Sequence, residues 1–262
     1  MKAFAHHLGY EFKAGVRDAG LMLMNYLFPL GFFFLMAALM TKINPLFTTT
    51  MVPAMAVFAM MSSYLMGLPG TLVAAREAGI YRSYRINGVP SASILSVPAL
   101  SLLAHAAAVS ALILAVGILG FDAPIPDSWG RFALAWICAA AAIAGLGVLI
   151  GVASPDSRAS ILLAQIVFIP SIMLGGLMMP PGILPVGLNR LALLFPATHA
   201  MRAFRGEPGW PVSIAALAVG ALLAFAVSGY LFEWDPKNSR SAWRKLLGLA
   251  ALVPYAILTV LG

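Results

Sequence analysis

The residues of this chain able to do chemistry are few. His105 lies near the middle of one apolar stretch, Gln165 lies within another, and a mixed run from Arg76 to Gly88 separates two more. A histidine in lipid surroundings is costly enough that a partner is expected. It is either part of a polar translocation surface or a neutral imidazole hydrogen-bonded to a neighbouring helix. The second reading is favoured because nothing else titratable accompanies it. Gln165 reads the same way. No Asp or Glu falls within an apolar stretch, although ion-coupled transporters commonly place carboxylates there to relay protons or hold cations. A P-loop needs G-x-x-x-x-G-K followed by Ser or Thr, and no such string occurs. The four histidines are too scattered for a catalytic constellation, and the single Cys138 permits neither an intrachain disulfide nor a cysteine-based metal site. No catalysis, ATP hydrolysis or bound cofactor or metal is therefore expected of this chain.

The run Arg76-Glu77-Ala78-Gly79-Ile80-Tyr81-Arg82-Ser83-Tyr84-Arg85 is more informative. Wound as one helix, it puts Ile80, Tyr81 and Tyr84 on one arc and Arg82 and Arg85 on another. Such a helix docks into a groove on a partner or rests on lipid, and Tyr and Arg are enriched at binding hot spots. Gly147 and Gly151 form a small-xxx-small pair that lets helix backbones approach closely.

The elements that must position these residues are set by composition. Hydrophobic residues make up 61% of the 262 and charged ones 10%, whereas a soluble domain carries about a quarter charged residues. The apolar residues fall in blocks of about 20, which at about 1.5 Å per residue cross a hydrocarbon core of about 30 Å. Lipid is the solvent for most of the chain. The net charge of +7 is spread over loops, which suits anionic headgroups rather than nucleic acid. Glu11 and Asp18 argue against a cleaved signal, and no polar stretch is large enough for a fused ATPase, so 1–262 reads as one domain.

Residues 2–18 predict an amphipathic helix at the membrane interface, with Phe4, Leu8, Phe12 and Val16 on one stripe and Lys2, His6, Lys13 and Arg17 on another side. Spans are expected at about 21–40, 51–73, 91–119, 131–152, 160–178 and 211–232. Five prolines keep 179–210 from being one straight helix. Two short helices fit better, the first burying Leu184, Leu188 and Leu191 and the second, after Pro196, carrying Met201 and Phe204. A seventh apolar stretch, 246–261, is short and holds Pro254, but Trp243, Arg244 and Lys245 precede it as an interfacial anchor, so 243–262 is expected to be an extra span. Counted on alternate sides of the first six spans, eleven Lys and Arg face one side and five the other. The positive-inside rule then puts the N-terminus and the Arg76 run in the cytoplasm.

Two segments resemble the ABC-2 family of ABC-transporter permeases, which includes drug, antibiotic and polysaccharide exporters. The first is Arg76 to Pro90, with an acidic residue, a glycine shortly after it and a proline before the next span. The second is Leu174-Gly175-Gly176-Leu177-Met178-Met179-Pro180, continuing through Ile183-Leu184-Pro185 to Phe195-Pro196-Ala197-Thr198-His199-Ala200-Met201-Arg202. The resemblance implies an all-α polytopic membrane protein with six core spans and short re-entrant or external helices between the fifth and sixth. It further implies a second copy or a homologous permease as partner, and two separate ATP-binding subunits that use ATP and Mg. On the matching positions, Glu77, Gly79, Tyr81, Arg82 and Arg85 would couple to the ATPase, and Gly176, Pro180, Pro185, Pro196, His199 and Arg202 would form an external gate. The expected function is export of a lipophilic, amphipathic or lipid-linked substrate across the cytoplasmic membrane. A self-contained secondary transporter or channel is the alternative, weakened by the missing carboxylates and by the lack of an inverted repeat.

Overall fold

Among the described residues, six helices long and apolar enough to cross a membrane follow one another along the chain. The structure, a computed structural model, describes residues 2–178, 184–234 and 242–261. Helix α1 (Lys2–Arg17) leads into the first span, α2 (Ala19–Ile43), and a tight turn joins it to the second, α3 (Phe47–Glu77). The short α4 (Ile80–Ile86) precedes α5 (Ser91–Phe121), α6 (Trp129–Ala153) and α7 (Ser157–Leu174). Two further short helices, α8 (Val186–Ala192) and α9 (Pro196–Arg205), lead to α10 (Trp210–Leu231). The C-terminal stretch is the short turn Ala242–Lys245, a 3-10 segment Leu246–Leu252 and α11 (Val253–Leu261). The described residues contain no strand.

Helix starts follow local chemistry. The side chains of Asp18, Ser128 and Asp156 each accept from a backbone amide three residues on, satisfying donors that a helix N-terminus leaves free. Prolines explain the two irregular turns. Pro29 and Pro69 have no amide hydrogen to offer the carbonyls of Asn25 and Leu65, and in both places the preceding turn widens to a π-turn, Leu23–Leu27 and Ser62–Gly67.

Helix α3 is the most enclosed of the six, whereas α2 and α7 leave most of their surface open, as lipid-facing helices do. The largest helix interface joins α6 to α10. Glycines make it and its neighbour possible. A Cβ on Gly145 would meet Ala224 of α10 at 2.9 Å, and one on Gly147 would meet the Tyr64 backbone oxygen of α3 at 2.1 Å. Gly151 likewise faces Pro69 and Leu72. The Gly147/Gly151 spacing thus packs within the chain.

Four expectations change. The run 76–88 is not one helix, because Gly79 takes φ +73 and breaks it, leaving Arg76 and Glu77 as the last turn of α3. The fifth span stops at Leu174 rather than near residue 178, where Gly175 and Gly176 follow and Gly176 adopts φ +77. Leu188 and Leu191 are exposed, since α8 is only seven residues long and buries Ala192 instead. The stretch Leu246–Val260 is shorter than the six spans, although it packs along α10. Met201 and Phe204 are carried on α9, the second short helix, and are buried.

Candidate functional site

The sequence-selected residues collect at opposite ends of the bundle. At one end, α3 runs into α4 through Gly79, whose positive φ is open to glycine at little cost. Gly88, at φ +72, closes α4, with the Val89 amide reaching back to the Tyr84 carbonyl at 3.0 Å. Tyr81 is buried and its hydroxyl donates to the Leu72 carbonyl at 3.0 Å, while its ring lies 5.4 Å from that of Phe232. Burial pushes its phenol above the ordinary range, with Arg76 nearby opposing, so the hydroxyl keeps the proton it donates. Tyr84 is half-buried against His7 of α1, ring centroids 5.9 Å apart. The surface of α4 is left to Ile80, Arg82, Arg85 and Ile86, all exposed, Ile86 to 81%.

Arg76, which sequence reasoning passed over, fastens this end. Its guanidinium is buried and donates to the carbonyls of Val152 at 3.2 Å, Pro155 at 3.1 Å and Ser154. These lie where α6 ends, so a cation meets the negative pole of a helix. Glu77 is exposed and accepts from Ser157 Oγ at 3.1 Å. The ends of α3 and α6, and the start of α7, are therefore tied together directly beneath α4. An arginine in the last turn of an otherwise apolar helix was the available signal.

At the other end, Pro185 and Pro196 start α8 and α9, Pro196 as the first residue of its helix. Pro180 lies outside the described residues. His199 is fully buried. Its Nε2 is 2.8 Å from the Leu193 carbonyl, which can only accept, so Nε2 carries the hydrogen and Nδ1 accepts from Ser213 Oγ at 3.3 Å. Burial pushes this imidazole below its usual range, partly offset by the Leu193 bond. Its ring stacks on that of Tyr255, 5.3 Å away, which joins the C-terminal stretch to α9. Arg202 Nε lies 3.5 Å from Glu207, whose other oxygen is 3.0 Å from Arg205.

Arg205 and Arg131 are the residues missed at this end. Arg205 donates to the Gly176 carbonyl at 2.7 Å and thereby holds the exit of the fifth span to α9. Arg131 lies against Gly206, where a Cβ would meet its guanidinium at 2.7 Å. A cavity of about 320 Å³ opens beside Arg202 and Arg205, between the end of α7, α8 and α9.

The two polar residues that the sequence singled out within spans, His105 and Gln165, are not brought together. His105 is buried, its Nδ1 2.6 Å from the Tyr26 hydroxyl and its ring stacked on Phe12 of α1 at 4.4 Å. Gln165 is half-buried on α7, which packs on α3, α6, α8 and α9.

The family model described as ABC-2 type transporter matches residues 3–207. No curated protein matches the chain.

Proposed function

Since the chain belongs to the ABC-2 type transporter family, and so is the permease subunit of an ABC transporter that pairs with ATP-binding subunits, we propose that α4 is the surface through which those subunits act. The observation that carries this is the division of labour within α4. Tyr81 is turned inward onto Leu72 and Phe232, and Ile80, Arg82, Arg85 and Ile86 are left outward on a helix of two turns. An exposed apolar residue flanked by arginines suits a partner's groove. Arg76 and Glu77 beneath it reach the ends of α6 and α7, so a push on α4 is passed to three spans at once.

In this reading two permeases, identical or homologous, pair with two ATP-binding subunits in the cytoplasmic membrane. The excess of basic residues at the α1 and α4 end supports a cytoplasmic position for that end. Binding and hydrolysis of ATP and Mg occur in the partner, and the permease alternates between inward-open and outward-open states to export a lipophilic, amphipathic or lipid-linked substrate. The segment from Gly176 to Arg202 serves as the outer gate.

The test is co-expression with candidate ATP-binding subunits, pull-down and an ATPase assay. Ile86→Asp with Arg85→Glu should abolish co-purification, and Tyr81→Phe should retain it. Full assembly and activity in the double variant would refute the assignment of α4.

A further inference from the structure

We propose that the cavity bounded by the start of α3, the α5–α6 loop and the end of α9 binds an oxyanion of the phosphate class, either free or as a lipid headgroup. The cavity has about 300 Å³, which admits a free phosphate as well as a lipid headgroup. Arg131 and Arg205 both line it. Each has a solvent-shielded Nε with no hydrogen-bond acceptor among the described residues. What the two side chains offer the cavity is their guanidinium charge and terminal N–H groups, which pair best with an acceptor carrying several oxygens.

The carboxylates at hand do not meet that need. Asp127 is 3.7 Å from Arg131 and its side chain is 90% exposed, so the pair is loose and readily displaced. Glu207 is divided between Arg205 and Arg202. Arg131, Arg202 and Arg205 thus share two carboxylates at this end of the bundle, of which Asp127 alone lines the cavity. The hydroxyls of Thr48, Thr49 and Thr50 give their protons to carbonyls of the preceding turn, which leaves recognition of charge to the arginines. Guanidinium forks match phosphate oxygens in geometry as well as charge.

Both arginines are seated by the backbone. Arg131 lies against Gly206 and Arg205 against Gly176, glycines at φ +65 and +77, and a Cβ on either would come within 2.7 Å of the guanidinium. The glycines therefore hold the forks at the cavity wall. Val52, Pro53, Phe132 and Phe204 line the same cavity and supply an apolar wall beside the charge, which suits the glycerol and upper chain of a phospholipid.

The experiment uses the purified full chain in nanodiscs and does not depend on any ATPase, so its outcome is separate from that of the coupling proposal. Lipid retained through detergent exchange is measured by native mass spectrometry from discs of phosphatidylcholine alone or with phosphatidylglycerol. Inorganic phosphate is titrated separately by isothermal calorimetry. Wild type should retain phosphatidylglycerol selectively or bind phosphate, and Arg131→Gln should weaken that binding about tenfold, the loss of one charge-assisted contact. Arg131→Lys should restore part of it. Lys42→Gln removes one charge from an exposed side chain at the same end and should leave binding unchanged. Phosphate binding without lipid retention identifies a free oxyanion as the ligand, and lipid retention that phosphate cannot displace identifies the headgroup. Equal binding in wild type and Arg131→Gln, or an equal loss in Lys42→Gln, would overturn the proposal. Melting curves exclude misfolding, and Arg205→Lys provides a second variant.

Discussion

The Tyr81 hydroxyl donates to the Leu72 carbonyl oxygen at 3.0 Å, linking the short helix α4 back onto the last turns of α3. Because that bond points inward, Tyr81→Phe should lower stability by about 1 kcal/mol, the usual net worth of a buried hydrogen bond. ATPase association should be retained. Denaturant titration of the purified permease, run beside the pull-down, measures both; a larger effect on association than on unfolding would mean that the hydroxyl meets the partner.

Arg76 should matter more. It donates to three carbonyls around the end of α6, and Arg76→Gln leaves most of them buried without a donor. A loss of about 3 kcal/mol is expected from bonds to a charged group. It should be accompanied by faster proteolysis at the turn between α6 and α7, because that turn is held by the same side chain. Arg76→Lys should recover only a part, since one ammonium cannot reproduce a fork that spans Val152 to Pro155.

The six spans were legible because hydropathy sets them directly, and their observed limits extend the expected ones by a few residues at most ends. What escaped was tertiary. A helical wheel drawn through Arg76 to Arg85 assumes one continuous helix, and the positive φ at Gly79 cuts Arg76 and Glu77 off from it, whereas Ile80, Tyr81, Arg82, Tyr84 and Arg85 share α4 and keep their relative phase. Tyr81 was singled out by sequence as a coupling residue, and only the fold shows that it faces Leu72 and Phe232. Arg205 and Arg131 gave no local signal, because their significance lies in Gly176 and Gly206, which are distant in sequence from the arginines they seat or belong to another helix. The exposed leucines of α8 follow from a helix too short to bury a full face.

Gly147 gives a sharp packing test. A Cβ there would sit 2.1 Å from the Tyr64 backbone oxygen, which a side-chain rotation cannot relieve, so α6 must move away from α3. Gly147→Ala should cost about 1–3 kcal/mol, the range for overpacking a close contact. Gly130, near the start of the same helix, meets nothing within 4 Å. Gly130→Ala should instead stabilise by up to about 1 kcal/mol through helix propensity and a less flexible unfolded chain. Unfolding curves of the two variants should therefore move in opposite directions from wild type.

Glu11 makes stability depend on pH. It lies on the inner side of α1, and burial raises its carboxyl above the ordinary 4.5, with His7 opposing. The folded protein thus holds its proton to higher pH than the unfolded chain does. Where the folded state binds more protons than the unfolded one, stability falls with rising pH. The contribution is therefore full below about 4.5, declines as pH rises through the raised folded value, and is constant above it. Glu11→Gln removes the ionisation. The variant should show a flatter profile across that acidic window and be more stable than wild type at neutral pH, where wild type carries a partly buried charge. Thermal unfolding measured from pH 4 to pH 7 decides the matter: parallel profiles for the two proteins would show that Glu11 is solvated and that α1 does not bury it against the bundle.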